Sequence, residues 1–231
     1  MLDALPKAAF SLLAGSNVLK RMASRYGMRN PGSFARRFIA GESVGEAIAA
    51  ARILEQQGLT VTLDLLGESV SSSEEAAVAT RTYADAMAEI DAAGVGRNIS
   101  LKLTQLGLEV DRATCIDNLR RVLDRATAGN FFVRIDMENS PFTEQTLEVL
   151  DTVWQIGYRN VGTVIQSYLK RSMKDVERLN AMGVRVRLVK GAYREPREVA
   201  YQQKAEVDAA FIELMRVLLR QGTYPAIATH D

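Results

Sequence analysis

From residue 60 onward the spacing of apolar residues switches repeatedly between two and about 3.6, the signature of strands alternating with helices. Period-two runs predict strands over residues 60–68, 99–107, 131–139, 161–169, 184–193 and 226–231, with a helix in each gap. The clearest helix opens at Ser72-Ser73-Glu74-Glu75, a capping box. It continues as a stripe of Ala76, Ala79, Tyr83, Met87 and Ile90 and ends at Gly94. Gly129, Gly157, Gly183 and Gly222 are placed to end the later helices. Residues 1–58 read as a helical segment packed on the body of the protein, and residues 59–231 as that strand-helix body. In the first segment, Leu2, Leu5, Ala9, Phe10, Leu12 and Leu13 make one apolar stripe, and Ser43-Val44-Gly45-Glu46 opens a helix closed by Gly58.

Strand-helix repetition with short turns predicts a parallel α/β sheet with right-handed crossovers, either doubly wound or closed as a (β/α)8 TIM-type barrel. Strands of a doubly wound sheet are covered on both faces and run continuously apolar, whereas these alternate apolar with charged residues. A barrel whose interior holds a ligand accounts for that alternation. Predicted strands start on average about every 33 residues, so the eight-strand plan predicts truncation after the sixth strand, with two units still to come.

Composition narrows the functional classes. The 231 residues are 47% hydrophobic and 25% charged, with 29 Lys plus Arg against 28 Asp plus Glu. A net charge of +1 gives no field to gather nucleic acid. Cys115 is the only cysteine and His230 the only histidine, which argues against a disulfide framework and a zinc site. No apolar run reaches the length of a membrane span, and the N-terminus lacks a signal-peptide pattern, so the expected location is cytoplasmic.

Alternation places Ile99, Leu101 and Leu103 under the helices and Ser100, Lys102 and Thr104 inside the barrel. Arg134, Asp136 and Glu138 fall inside on the third strand, Arg185 and Arg187 on the fifth. Asp64, Gln166 and His230 take the corresponding faces of the first, fourth and sixth strands. Internal ion pairs, such as Arg134 with Glu138 or Asp64 with a neighbouring base, are the plain structural explanation. Convergence of Lys102, Asp136, Gln166, Arg187 and His230 on one mouth points instead to a ligand site. The turn Arg187-Leu188-Val189-Lys190-Gly191-Ala192-Tyr193 brings a cation and small-residue backbone to that rim, which suits a phosphate. No Walker loop, HExxH or GxSxG motif occurs, and Gly94-Val95-Gly96 follows a helix, so it is a turn.

Through residues 63–68 (LDLLGE), 100–107 (SLKLTQLG), 134–138 (RIDME), 187–193 (RLVKGAY) and 228–231 (ATHD), the chain closely resembles the bacterial monofunctional proline dehydrogenase family. The resemblance runs from about Phe38 to Asp231. It implies a (β/α)8 barrel holding non-covalent FAD, which oxidises L-proline to 1-pyrroline-5-carboxylate and passes electrons to a quinone, with peripheral contact at the inner face of the cytoplasmic membrane. It makes Lys102 a ligand of the substrate carboxylate, Tyr193 a wall against the proline ring, and Asp136 and Arg187 catalytic residues. Met137, Gln166, Arg187, Lys190, Gly191, Ala192, Thr229 and His230 match flavin-contacting positions. Arg194 stands where many relatives carry Trp, and the family's carboxylate-clamping Arg pair would lie beyond Asp231. A Schiff-base aldolase using Lys102 or Lys190 is the alternative enzyme, and a ligand-binding barrel fragment the non-enzymatic alternative.

Overall fold

The computed structural model describes residues 39–67 and 69–229. The apolar stripe of residues 2–13, together with Glu68, His230 and Asp231, lies outside the described residues. The chain divides into two compact units, Met1–Thr60 and Val61–Asp231.

In the first unit, helix α1 (Val44–Gln56) is capped by Ser43, whose side chain accepts from the Glu46 amide. Glu46 does not close the reciprocal bond of a capping box; its carboxylate accepts from the Glu42 amide, one residue further back. Gly58 follows the helix at φ +79°, a conformation open to glycine at little cost.

The second unit runs β1 (Leu63–Asp64), α2 (Ser73–Ala93), β2 (Asn98–Leu101), a 3-10 turn (Leu103–Leu106), α3 (Arg112–Ala128), β3 (Phe132–Ile135) and α4 (Ser140–Ile156). It continues with β4 (Val161–Gln166), α5 (Ser172–Met182), β5 (Arg185–Val189), α6 (Lys204–Gln221) and β6 (Ala226–Ile227). The helices begin where the sequence supplies caps. Ser72 accepts from the Glu75 amide at the start of α2, and Asp111 accepts from the Thr114 amide at the start of α3. Gly94, Gly157 and Gly183 end α2, α4 and α5 in the left-handed conformation. After α3 that conformation passes to Asn130, at φ +56°.

All strand pairs are parallel, and the strand order is the sequence order, β1-β2-β3-β4-β5-β6. Six strands laid flat at about 4.8 Å spacing would hold β1 and β5 roughly 19 Å apart. Yet Arg187 of β5 donates from Nη2 to the Thr62 hydroxyl, beside β1, at 3.2 Å. The sheet therefore curls as a barrel wall, and this unit is a six-stranded α/β half-barrel of the TIM type. Between wall and helices, Leu101, Val133, Ile135, Val161, Leu119, Leu123, Leu147 and Leu150 are completely buried.

The strands are shorter than their sequence patterns. The second was expected to run to Gly107 but stops at Leu101, and Leu103–Leu106 coils into the 3-10 turn. The Thr104 amide and hydroxyl both donate to the Glu138 carboxylate, at 3.3 and 2.8 Å, so that backbone amide serves an anchor and not a strand ladder. Thr104 consequently faces Glu138. The suggested Arg134–Glu138 ion pair does not form: Arg134 Nη1 donates to the carbonyls of Thr163 and Arg185, both at 3.2 Å. The guanidinium groups of Arg134 and Arg185 lie 5.0 and 4.9 Å from the centroid of the Phe132 ring, a pair of cation-π contacts set against Gly162. A Cβ on Gly162 would come 2.8 Å from that ring and 2.3 Å from the Arg185 carbonyl. Arg134 is thus buried, close enough to Asp136 and Arg187 to feel their charge, while Arg185 is exposed.

Candidate functional site

Two groups of side chains occupy the ends and rim of the strands. The first contains Asp64, closing β1, Lys102, just past β2, Asp136, just past β3, and Arg187 on β5. Asp136 Oδ1 lies 3.6 Å from Arg187 Nη1, and both side chains are about one-fifth exposed, at 22% and 23%. Burial pushes the Asp136 carboxyl above the usual carboxylate range; Arg187, Lys102 and Arg134 pull it down, while Asp64 adds to the rise. Asp64 is raised for the same reason, against Lys102, a hydrogen bond with Ser100, and Arg187. Two carboxyls and two cations therefore share one space, partly desolvated at Asp136 and Arg187 and open to solvent at Asp64, where each charge is felt by the others.

Behind this group, Tyr83 of α2 donates its hydroxyl to Gln105 Oε1 at 2.8 Å, and Gln105 Nε2 donates to the Leu65 carbonyl at 3.2 Å. Burial, with Asp64 and Asp136 next, drives the Tyr83 hydroxyl far above its ordinary range, so it remains a donor. Sequence reasoning placed Tyr83 on the core stripe of its helix, which is correct, but nothing in a 3.6-residue period shows that its hydroxyl turns toward Gln105.

The second group lies around the loop from β5 to α6. It borders a cavity of about 750 Å³ whose lining includes Tyr168, Lys190, Gly191, Tyr193, Arg194 and Lys204. Gly191 sits at φ +117°, and a Cβ there would come 2.5 Å from the Tyr168 ring, so only glycine lets the loop pass this close. Lys190 Nζ is 2.5 Å from Asp208 Oδ1 and 5.9 Å from the Phe211 ring centroid, both on α6. Lys190 and Lys204 together hold the Asp208 carboxyl below its usual range.

Lys102, Asp136 and Arg187 are thus brought together, and Lys190, Gly191 and Tyr193 border the cavity. Tyr193 belongs to the cavity group and Lys102 to the charged group. Met137 is buried, at 6% exposed. Gln166 is buried at the end of β4, its Nε2 donating to the Glu138 carbonyl at 2.8 Å. Ala192 and Thr229 are exposed. His230 lies outside the described residues. Thr62, Tyr168, Glu195 and Asp208 were not anticipated; their contacts join distant segments, and only the tertiary structure reveals them. Among the described residues no cluster of His, Cys, Asp and Glu is arranged to hold a metal ion.

Comparison with known proteins bears on this arrangement. A family model described as proline dehydrogenase matches residues 47–231. The chain is 37% identical over 222 residues to proline dehydrogenase 2 of Bacillus subtilis (strain 168), covering 96% of this chain and 72% of that protein. It is 37% identical over 235 residues to the proline dehydrogenase of Deinococcus radiodurans, covering 100% and 74%. Among solved structures, proline utilization A (PutA) from Bdellovibrio bacteriovorus, inactivated by N-propargylglycine, matches with a TM-score of 0.78 at 28% identity. That match covers 85% of this chain, which spans one quarter (25%) of the larger PutA chain.

Proposed function

Because the chain belongs to the proline dehydrogenase family, we propose that it serves proline catabolism by oxidising L-proline to 1-pyrroline-5-carboxylate, with FAD as the hydride acceptor and a quinone as the final electron acceptor. The observation that carries this reading is the Asp136–Arg187 pair, 3.6 Å apart and electrostatically coupled to Lys102 and Asp64 inside the curled sheet.

The residues around the cavity suit a dinucleotide. Gly191 lets the loop run close against the Tyr168 ring without a side chain of its own, and Lys190, Arg194 and Lys204, the two lysines paired with Asp208, supply cations for phosphates. A volume of about 750 Å³ is within the range of cofactor clefts. Met137, Gln166, Arg187, Lys190, Gly191, Ala192, Thr229 and His230 would hold the cofactor, and the flavin would supply the hydride acceptor.

The chain's own residues would bind and orient the substrate. Lys102 would take the carboxylate of proline, and Tyr193 would limit how the ring can lie. Arg187, steadied by Asp136 and Thr62, would present fixed positive charge beside the hydride acceptor, where negative charge would develop as the substrate becomes an iminium. Asp136 would keep that guanidinium aimed. Electron transfer to a quinone would take place at a membrane surface, on the cytoplasmic side; among the described residues no helix is long and apolar enough to cross a membrane. The aldolase alternative is not favoured. Lys190 is engaged by Asp208 and Lys102 is flanked electrostatically by two carboxyls, whereas Schiff-base formation needs a free amine.

The test is anaerobic titration of the protein, loaded with FAD, by L-proline. The expected result is a flavin absorbance band that bleaches with proline and recovers with a soluble quinone. A loaded protein whose band proline leaves unchanged would overturn the assignment.

A further inference from the structure

Helix α4 begins without a cap from its own sequence, since Asn139 at the N-cap position makes no side-chain bond to it. Its first residue is held from a different loop. The Ser140 amide donates to Glu195 Oε1 at 2.7 Å, and the Ser140 hydroxyl donates to Glu195 Oε2. Glu195 lies 55 residues further along, in the β5–α6 segment, two residues beyond Tyr193. A carboxylate taking both donors at a helix N-terminus combines charge-assisted hydrogen bonds with a favourable helix dipole.

The anchor is firm, because Leu147, Leu150 and Val153 of α4 are completely buried. The segment it holds is otherwise open. Ala192, Arg194, Pro196, Arg197 and Glu198 are all exposed. Glu195 is one of several ties on this segment: Lys170 Nζ donates to the Arg197 carbonyl at 2.7 Å, and the Tyr193 backbone lies against the Tyr168 hydroxyl. The Tyr168 amide donates to the Lys190 carbonyl at 3.0 Å, and Gln202 Nε2 donates to the Glu195 carbonyl at 3.2 Å. The Tyr168 ring backs Gly191, and its hydroxyl is pushed up to about 12, first by burial and then by the nearby Glu195 carboxylate.

We propose that Glu195 is a positioning residue: by clamping the start of α4 it sets where Gly191 and Tyr193 stand, and so tunes substrate contact through Tyr193. The inference deepens the proposed function and rests on it for the role of Tyr193. Without the clamp the loop keeps its contacts at Lys190, Tyr193 and Arg197, but loses the tie that fixes it to the start of α4.

The experiment compares the parent protein with Glu195→Ala, Glu195→Gln and Ser140→Ala, all loaded with FAD. Hydrogen exchange is read at the amides of residues 191–193 and the first turn of α4, and proline KM is read separately from kcat. Glu195→Ala should speed exchange at both places by about tenfold or more, the scale for losing a hydrogen bond to a charged group. It should raise KM by a similar factor while leaving kcat within about threefold. Glu195→Gln, which still accepts from the Ser140 amide, should restore most of both. Ser140→Ala, which keeps the amide bond, should fall between, and it carries the comparison if Glu195→Ala does not fold. Unchanged exchange in these variants would overturn the clamp. Faster exchange with unchanged KM would overturn its effect on the site. If the parent oxidises no proline, the functional proposal fails while the exchange measurements still decide whether the clamp holds the loop.

Discussion

Arg187 on β5 is tied at once to Asp136, 3.6 Å away just beyond β3, and to the Thr62 hydroxyl, 3.2 Å away beside β1. A guanidinium held from two directions has little freedom left to lose when charge develops beside it, which is the condition for electrostatic catalysis without reorganisation. One side chain thereby reports both the curl of the sheet and the candidate chemistry.

Arg187→Met should slow reduction of the flavin by saturating proline by about 10²–10³, the range for removing one preorganised partner of a developing charge. Stopped-flow absorbance at the flavin band measures this directly. A rate like the parent's would make the Asp136–Arg187 pair purely structural.

Lys102→Ala should weaken binding of proline and of the carboxylate mimic tetrahydrofuran-2-carboxylate in parallel. The loss expected is about 2–5 kcal/mol if the carboxylate is desolvated in the complex. Inhibition constants for the mimic provide the check, and an unchanged constant would assign Lys102 to Asp64 and Asp136 alone.

Gly191→Ala adds a methyl where the Tyr168 ring already stands, and it imposes φ +117° on an L-residue. Backbone strain of this kind costs roughly 1–3 kcal/mol before the clash is counted. Thermal unfolding should show a lower Tm, and FAD titration a weaker affinity. Gly94→Ala serves as the reference, because a Cβ there meets nothing within 4 Å, although its φ is also positive at +69°.

Stability should respond to pH through Asp136. Its folded-state carboxyl is raised above the ordinary 3.8, mainly by burial. Ionisation therefore costs more in the folded protein than in the unfolded chain. That cost is fully present above the raised value and disappears as pH falls through it toward 3.8. Denaturant unfolding should show that Asp136→Asn, which cannot ionise, lacks this component: acidification across the window should favour the parent relative to the variant. The same relative stability at every pH would mean that Arg187 and Lys102 fully offset the burial.

How much of this was legible beforehand differs from element to element. Periodicity located all six described strands because a period of two survives in sequence whenever apolar side chains turn to the helices and polar ones to the barrel interior; burial itself alternates only along β5, and β4 is buried throughout. The ends of the strands were not legible. Leu103 and Leu106 fit either a strand or a 3-10 turn, and the choice fell to Glu138, whose carboxylate takes the Thr104 amide from another βα connection. The polar faces showed which residues turn away from the helices, but not at what height they lie within the barrel.

The sequence by itself determined the strand-helix order, the helix starts at Ser43 and Ser72 and the residues whose chemistry suits an anion or a carboxylate, because these depend on neighbours within one turn or one pleat. Only the tertiary structure decided that Arg134 stacks on Phe132 while Arg187 meets Asp136, that Gly191 is backed by Tyr168, and that Glu195 caps α4. Those contacts join strands and loops tens of residues apart. A long side chain in a curled sheet can reach several alternative partners at little difference in local energy, so the choice belongs to the packed whole, where burial makes each unpaired charge or amide costly.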